Sequence, residues 1–306
     1  MSSPIIIFGS INMDLVVYSD KQPAKGETIL GNSFETFQGG KGANQAVAIS
    51  RLGIPVSLIG KVGDDVFGEE LLEILDSEEV DTSMVLKNEG PSGVAFIYVF
   101  KETSENQIVV ISGSNEEVKS NQISEKELSA SNLLISQLEV PPSEIEDLFI
   151  RAKKSGTYRI LNTAPALKIN KNLIHETDLL VMNEPELANL TEQTIEKENA
   201  DSIDQAINNL NLSTNQSIVV TLGSKGVYVY TNQKGMLING YKVDAVDTTG
   251  SGDCFIGALA SHYLQSNDLL DSADFANKAA ALSVMKRGAS ASMPTMEEVV
   301  NFKKIT

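Results

Sequence analysis

The sequence predicts an α/β protein: a doubly wound, mostly parallel central sheet with helices on both faces, carrying a small antiparallel β lid. Three observations point there. Apolar runs of strand length recur along the chain without two-residue alternation, the pattern of parallel strands covered on both faces. Helical stripes separate these runs, as in repeated strand–helix units. Two stretches, from about Leu15 to Phe37 and from about Gly93 to Ile111, are strand-like with no helix between them.

Ile5–Phe8 reads as the first buried strand. Met1-Ser2-Ser3-Pro4 ahead of it carries no Lys or Arg, so the segment does not read as a signal peptide. Val56–Gly60, Leu133–Gln137, Tyr158–Leu161, Leu179–Met182 and Ile218–Thr221 are further strands of the same kind. Ser143, with Glu146 three residues on, predicts a capping box at the head of a helix. That helix carries Ile145, Leu148, Phe149 and Ala152 on one face and stops at Gly156. Ile203, Ala206, Ile207 and Leu210 mark another stripe inside the polar stretch 191–216. Val94–Phe100 and Ile108–Ile111 flank the polar connection Lys101–Gln107 and read as a hairpin. The main domain therefore takes residues 1–14, 38–92 and 112–306, and the lid takes 15–37 and 93–111. An extension of the main sheet's edge is the plainer alternative to a lid.

Composition narrows the function. The chain has 306 residues and a net charge of −17, an acidic balance that argues against nucleic acid, whose phosphates are bound by basic patches. No run approaches the roughly 18 consecutive apolar residues of a membrane span. Cys254 is the only cysteine and His175 and His262 the only histidines. An internal disulfide is thus impossible, a zinc site nearly excluded, and a reducing cytoplasm the natural setting. P-loop, G-x-G-x-x-G, H-E-x-x-H and G-x-S-x-G signatures are all missing.

Two constellations carry chemistry. Gln38-Gly39-Gly40-Lys41-Gly42-Ala43-Asn44-Gln45-Ala46 sets glycines and a lysine directly ahead of a helix of small residues, so that the backbone can approach a ligand closely. A tight turn serving helix–sheet packing needs the glycines but neither Lys41 nor Asn44. Upstream, Gly9-Ser10-Ile11-Asn12-Met13-Asp14 follows the first strand, where ligands of open α/β sheets bind. Asn12 and Asp14 share one face of an extended segment and suit sugar hydroxyls, although an Asn/Asp turn closing the strand is the simpler alternative.

The second constellation is Asp247-Thr248-Thr249-Gly250-Ser251-Gly252-Asp253, ahead of an almost uniformly apolar run to Leu264. A buried helix start offers unpaired amides and the positive end of the helix dipole to an anion. Asp253 there can cap the helix, or it can accept the proton of an attacking hydroxyl in phosphoryl transfer. A second glycine-rich helix start in the same chain favours catalysis.

Together these motifs resemble the two signatures of the ribokinase-like (pfkB) carbohydrate kinases, and the likeness runs over essentially the whole chain. Gly9–Asp14, Gln137-Leu138-Glu139, Asn183-Glu184-Pro185-Glu186 and Thr221-Leu222-Gly223-Ser224-Lys225-Gly226 fall in the family's order. G-G-K-G-A-N-Q-A is the form of the ribokinase branch rather than of adenosine kinases or fructokinases. The resemblance implies transfer of the γ-phosphate of ATP to the 5-hydroxyl of D-ribose. Asp253 would be the base, and the start formed by Gly250, Ser251, Gly252 and Asp253 the anion hole. Asn12, Met13, Asp14, Gly40, Lys41, Gly42, Ala43, Asn44 and Glu139 would hold the sugar. Asn183, Thr221, Leu222, Gly223, Ser224, Lys225, Gly226 and Asn277 would line the nucleotide site, with Glu186 organising Mg²⁺ through water. Asn277 stands where the family commonly sets a histidine against adenine. An activating K⁺ would lie among Asp247, Thr249, Ser283, Lys286, Gly288 and Ser292, and two chains would pair through their lids as a homodimer. A deoxyribokinase or nucleoside kinase of the same fold stays open, as does, in a different class, a non-catalytic sugar-binding protein.

Overall fold

The first strand, β1 (Ile5–Phe8), is buried at every position, as a run of four apolar residues between two neighbouring strands must be. In the computed structural model, which describes residues 3–100, 105–196 and 200–302, β2 (Asn12–Ser19), β3 (Ser33–Gly39), α1 (Lys41–Arg51), β4 (Val56–Gly63), α2 (Val66–Ser77) and β5 (Asp81–Asn88) follow. Next come β6 (Gly93–Phe100), β7 (Glu105–Ile111), α3 (Glu125–Ser129), β8 (Leu133–Gln137), α4 (Pro142–Ser155), β9 (Tyr158–Asn162) and α5 (Lys171–His175). The rest is β10 (Leu179–Asn183), α6 (Glu184–Thr191), α7 (Ala200–Asn208), β11 (Ser217–Thr221), β12 (Gly226–Thr231), β13 (Lys234–Asn239), α8 (Ser251–Ser266), α9 (Leu269–Ser283) and α10 (Met296–Asn301).

The central sheet runs β13-β12-β11-β10-β9-β8-β1-β4-β5. It is parallel from β11 to β5, and antiparallel only where β12 joins β11 and β13 joins β12. Each face is covered, as expected. Val47, Ile49, Phe255 and Leu259, from α1 and α8, belong to the core on one side. Ile145, Phe149, Ile203 and Ile207, from α4 and α7, belong to the core on the other. All six strands foreseen from apolar runs are present.

Three strands were not foreseen. β5 is an edge strand of mostly exposed and half-buried residues with no continuous apolar run. β12 and β13 form a hairpin turning at Asn232 and Gln233, both with positive φ (51° and 61°). That two-residue turn lacks the glycine by which such turns are read. The capping box at Ser143 also fails: α4 begins at Pro142, with Pro141 at its cap and no side-chain capping bond. Proline suits that first turn because it has no amide to leave unpaired. Glu146 instead accepts from Asn170 Nδ2. Gly156 ends α4 in the left-handed conformation (φ 79°) as expected.

A second sheet, β3-β2-β6-β7, stands apart from the first. Its outer pairs are antiparallel, as the sequence predicts, while its two halves meet through a parallel β2–β6 pair. β7 starts at Glu105, so Glu105–Gln107 extend the hairpin rather than connect it; Lys101–Ser104 lie outside the described residues. β2 and β3 reach down to Asn12 and Gly39, carrying the second sheet into the first ligand motif. Among the described residues no helix is long and apolar enough to cross a membrane.

Candidate active site

Gly40 caps α1 with φ 84°, and a Cβ there would lie 2.8 Å from the Asn12 nitrogen and 2.9 Å from Ile11 Cα. Only glycine fits so close a crossing of backbones, and the crossing brings the start of α1 against the strand that carries Asn12 and Asp14. Gly42 is equally confined, its Cβ position 2.6 Å from the Gly9 carbonyl carbon, while Ala43 N–H is held by Ser10 O at 2.9 Å. Glu139 Oε2 joins them from beyond β8, accepting from Ser10 Oγ at 2.5 Å and from the Lys41 amide at 3.0 Å.

The two glycine-rich helix starts converge. Asn44 Nδ2 donates to Asp253 Oδ2 at 3.2 Å, and Gln45 Nε2 donates to Asp253 Oδ1 at 3.0 Å. Asp253 is therefore not a helix cap: its carboxylate is spent on α1 rather than on the amides of α8. Gly250 begins α8 in the left-handed conformation (φ 72°), and its Cβ position lies 2.8 Å from Ala289 Cα. Gly252 faces open space, with nothing within 4 Å of its Cβ position. Ser251 departs from the expected anion hole, since its amide donates to Thr248 O at 3.2 Å. The amides of Gly252 and Asp253 have no hydrogen-bond partner among the described residues and remain for a ligand.

A cavity of about 140 Å³ opens here, lined by Lys41, Asn183, Glu186, Thr221, Gly250, Gly252 and Asp253 among others. Its walls are the carboxyl ends of parallel strands and three helix starts, those of α1, α6 and α8, the usual ligand position of such sheets. Asn183 and Glu186 cap α6 reciprocally, Asn183 Oδ1 accepting from the Glu186 amide at 2.8 Å and Glu186 Oε2 from the Asn183 amide at 2.9 Å. Of the other positions expected to hold the nucleotide, Thr221 lines the cavity and 222–226 and Asn277 do not. Leu222 N–H donates to Gly226 O at 2.9 Å around the turn containing Gly223, Ser224 and Lys225. Gly226 pairs with Asn239, whose carbonyl accepts from Asn277 Nδ2 at 3.0 Å.

Charge is concentrated at the centre. Burial drives the Asp253 carboxyl above its usual range, against the pull of Lys41 and the donors Gln45 and Asn44. Burial also pushes Asp14 up to about 7, assisted by the charges of Glu139 and Asp253. Glu186 is raised by burial as well. Burial works against the charge of Lys41, but Asp253, Glu139, Glu186 and Asp14 outweigh it and hold the ammonium charged.

Asp247, Thr249 and Gly288 come together: Asp247 Oδ1 accepts from the Thr249 amide and hydroxyl, at 2.9 and 2.6 Å, and Oδ2 from the Gly288 amide at 2.9 Å. The remaining expected cation positions are spread along the facing segment. Ser283 and Ser292 bond the carbonyls of Ala280 and Ala289, and the Lys286 ammonium turns away to Glu298 at 2.6 Å. Met13 also departs from the sugar set in its side chain, which is fully buried in the core while Asn12 and Asp14 take the other side of β2.

Three residues at the site were not singled out from the sequence. Asn115, in a 3-10 turn after β7 (Gly113–Glu117), donates to Asn12 Oδ1 at 2.7 Å. Gln45 carries the bond to Asp253, and Asn162, at the end of β9, lines the cavity. Gln45 stood inside a quoted motif; nothing local marked the other two.

A model of the pfkB family carbohydrate kinases matches residues 3–296. A ribokinase of Schizosaccharomyces pombe is 40% identical over 316 residues, with 99% of each chain covered. A deoxyribokinase of Salmonella typhi is 36% identical over 298 residues, with 96% of each covered. Arabidopsis thaliana ribokinase, solved in complex with ribose and ATP, superposes with a TM-score of 0.90 at 29% identity, covering 99% of this chain and 100% of that one. With matching sequence from end to end and two sheets arranged alike, the chain belongs to the pfkB family of carbohydrate kinases.

Proposed function

We propose that the chain transfers the γ-phosphoryl group of ATP to the 5-hydroxyl of D-ribose. One observation carries the reading: a buried carboxylate, Asp253, stands beside the unpaired amides that open α8, at the edge of a cavity lined by both ligand motifs. Asn12, Asp14, Lys41, Asn44 and Glu139 hold the sugar, with the backbone of Met13, Gly40, Gly42 and Ala43 shaping its pocket. Asn183, Thr221, the turn 222–226 and Asn277 hold the nucleotide.

Asp253 takes the 5-hydroxyl proton as the sugar oxygen bonds to the γ-phosphorus and the bond to the ADP oxygen breaks. Its raised pKa makes it a stronger base than an ordinary carboxylate. The amides of Gly252 and Asp253 receive the charge on the phosphoryl oxygens, and Lys41 offsets the carboxylates around it. The second sheet closes over the sugar and excludes water, which would otherwise take the phosphoryl group.

Among the described residues no group of three His, Cys, Asp or Glu could hold a metal ion. Glu186, which lines the cavity beside Asp253, suits Mg²⁺ brought in on the nucleotide, an ion that needs one or two protein carboxylates besides phosphate and water. Bound there, Mg²⁺ would neutralise phosphate charge. Asp247 is kept ionised despite burial by Thr249, the Gly288 amide and the Arg287 charge, which suits K⁺ among hydroxyl and carbonyl oxygens. On the sheet face that carries Asp14, Ile108 and Val110 are 54% and 51% exposed, and a second copy of the chain covers them in a dimer.

A coupled assay with ATP and Mg²⁺ across ribose, 2-deoxyribose, adenosine and fructose, in K⁺ and in Na⁺, tests this reading. Preference for ribose with faster turnover in K⁺ is expected; preference for a nucleoside overturns it. 2-Deoxyribose is the second reading, favoured by the deoxyribokinase relative.

A further inference from the structure

Asp253 has two oxygens in unequal surroundings. Oδ2 meets Asn44 Nδ2 at 3.2 Å, a longer bond, from a side chain whose Oδ1 accepts from Gln38 Nε2 at 3.1 Å. Oδ1 meets Gln45 Nε2 at 3.0 Å, and Gln45 cannot turn. Its Oε1 accepts from Gln137 Nε2 at 2.6 Å, and its Nε2 also reaches Asn162 Oδ1 at 3.3 Å. Gln45 and Gln137 are both fully buried. Among the described residues Gln137 Oε1 has no hydrogen-bond partner, an unfavourable state for a buried polar atom. The one bond Gln137 Nε2 makes fixes the direction of the next amide.

From this we infer that Gln45, oriented by Gln137, is a positioning residue for phosphoryl transfer: it anchors Asp253 Oδ1 and leaves Oδ2 to take the proton of the sugar hydroxyl. The inference rests on the kinase reading above. The proton passes from the hydroxyl to Oδ2 while the sugar oxygen bonds to phosphorus and the ADP oxygen departs. Asn162, which lines the cavity at the end of β9, gives the Gln45 amide a second acceptor.

A donor to the ionised carboxylate favours that form, so losing it affects turnover and its pH dependence together. The charged groups around Asp253 are Lys41 on α1, Glu139 beyond β8, Glu186 on α6 and Asp14 on β2. None of them is altered by substituting Gln45.

The test measures kcat, KM for ribose and ATP, and the pH profile of kcat for the unaltered chain, Gln45→Met, Gln45→Glu and Gln137→Met. Gln45→Met should lower kcat roughly tenfold or more with KM for ATP unchanged, and should move the acid limb of kcat upward by about half a pH unit or more. Gln45→Glu keeps the shape, reverses the donor and should move the limb further. Gln137→Met should show the same pattern in weaker form. Loss of thermal stability with an unmoved limb and an unchanged kcat in both Gln45 variants overturns the inference; if Gln45→Met does not fold, Gln45→Glu alone decides it. Failure of the unaltered chain to phosphorylate any sugar overturns the kinase reading instead, and is told apart by that control.

Discussion

Asn115 Nδ2 donates to Asn12 Oδ1 at 2.7 Å, tying the exit of the second sheet to its entry. Asn115 also accepts from the Ile11 amide at 2.9 Å and donates to the carbonyls of Ile11 and Ser112. Gly93, where β6 begins, has no room beside them: a Cβ there would lie 2.2 Å from both Asn115 Nδ2 and Asn12 Oδ1. With its oxygen taken, Asn12 has its own amide hydrogens to offer a sugar hydroxyl. Asn115→Ala should therefore raise KM for ribose by roughly tenfold and leave KM for ATP unchanged. It should also cost about 1–3 kcal/mol of stability through the buried groups it orphans. Steady-state kinetics and thermal unfolding read both.

Asp253→Asn keeps the size of the side chain but cannot take a proton. Its kcat should fall by about 10²–10⁴, with nucleotide affinity retained. Because burial disfavours the ionised carboxylate, the variant should unfold at a temperature no lower than the parent. Near-normal turnover would remove Asp253 from the base role.

Two glycines of one helix start should respond in opposite ways. Gly250→Ala forces a Cβ to 2.8 Å from Ala289 Cα in a left-handed conformation, so both melting temperature and activity should drop. Gly252→Ala meets nothing within 4 Å, and alanine favours a helix over glycine by up to about 1 kcal/mol. Its melting temperature should hold or rise while kcat/KM for ATP falls at least tenfold, because the methyl group enters the space of the phosphate. Equal loss of stability in the two variants would contradict this.

Asp14 gives the site a pH dependence with a definite sign. Its carboxyl is raised from 3.8 to about 7, chiefly by burial. Between those values the folded chain keeps the proton and the unfolded chain has released it, so stability declines as pH rises through the window. Asp14→Asn removes that dependence. The variant should melt higher than the parent at pH 8, the gap closing towards pH 4, while its KM for ribose rises. Melting curves from pH 4 to 8 beside ribose kinetics decide it.

Much of the fold was legible because buried parallel strands are built on apolar runs, as are Ile5–Phe8 in β1, Leu133–Ile135 in β8 and Ile218–Val220 in β11. β5 and the β12–β13 hairpin escaped, the first because an edge strand need not be apolar, the second because Asn232 and Gln233 turn without glycine. Asp253 and Asn44 could be singled out because each sits in the first turn of a glycine-led helix. Asn115 could not: it lies in a short turn of ordinary composition, and its importance comes from its bonds to Ile11 and Asn12, 104 and 103 positions earlier. The amide of Ser251 shows the same limit at finer scale, since the glycine spacing marks a helix start but not which of its N–H groups folds back.

Gln45 and Asp253 touch across 208 positions of sequence. During synthesis a ribosome releases the first of them long before the second, and everything made in between leaves Gln45 without its carboxylate partner. The buried carboxylate gains its two amide donors only when α8 docks against α1. A protease nick between these helices would leave each fragment holding only one side of this contact.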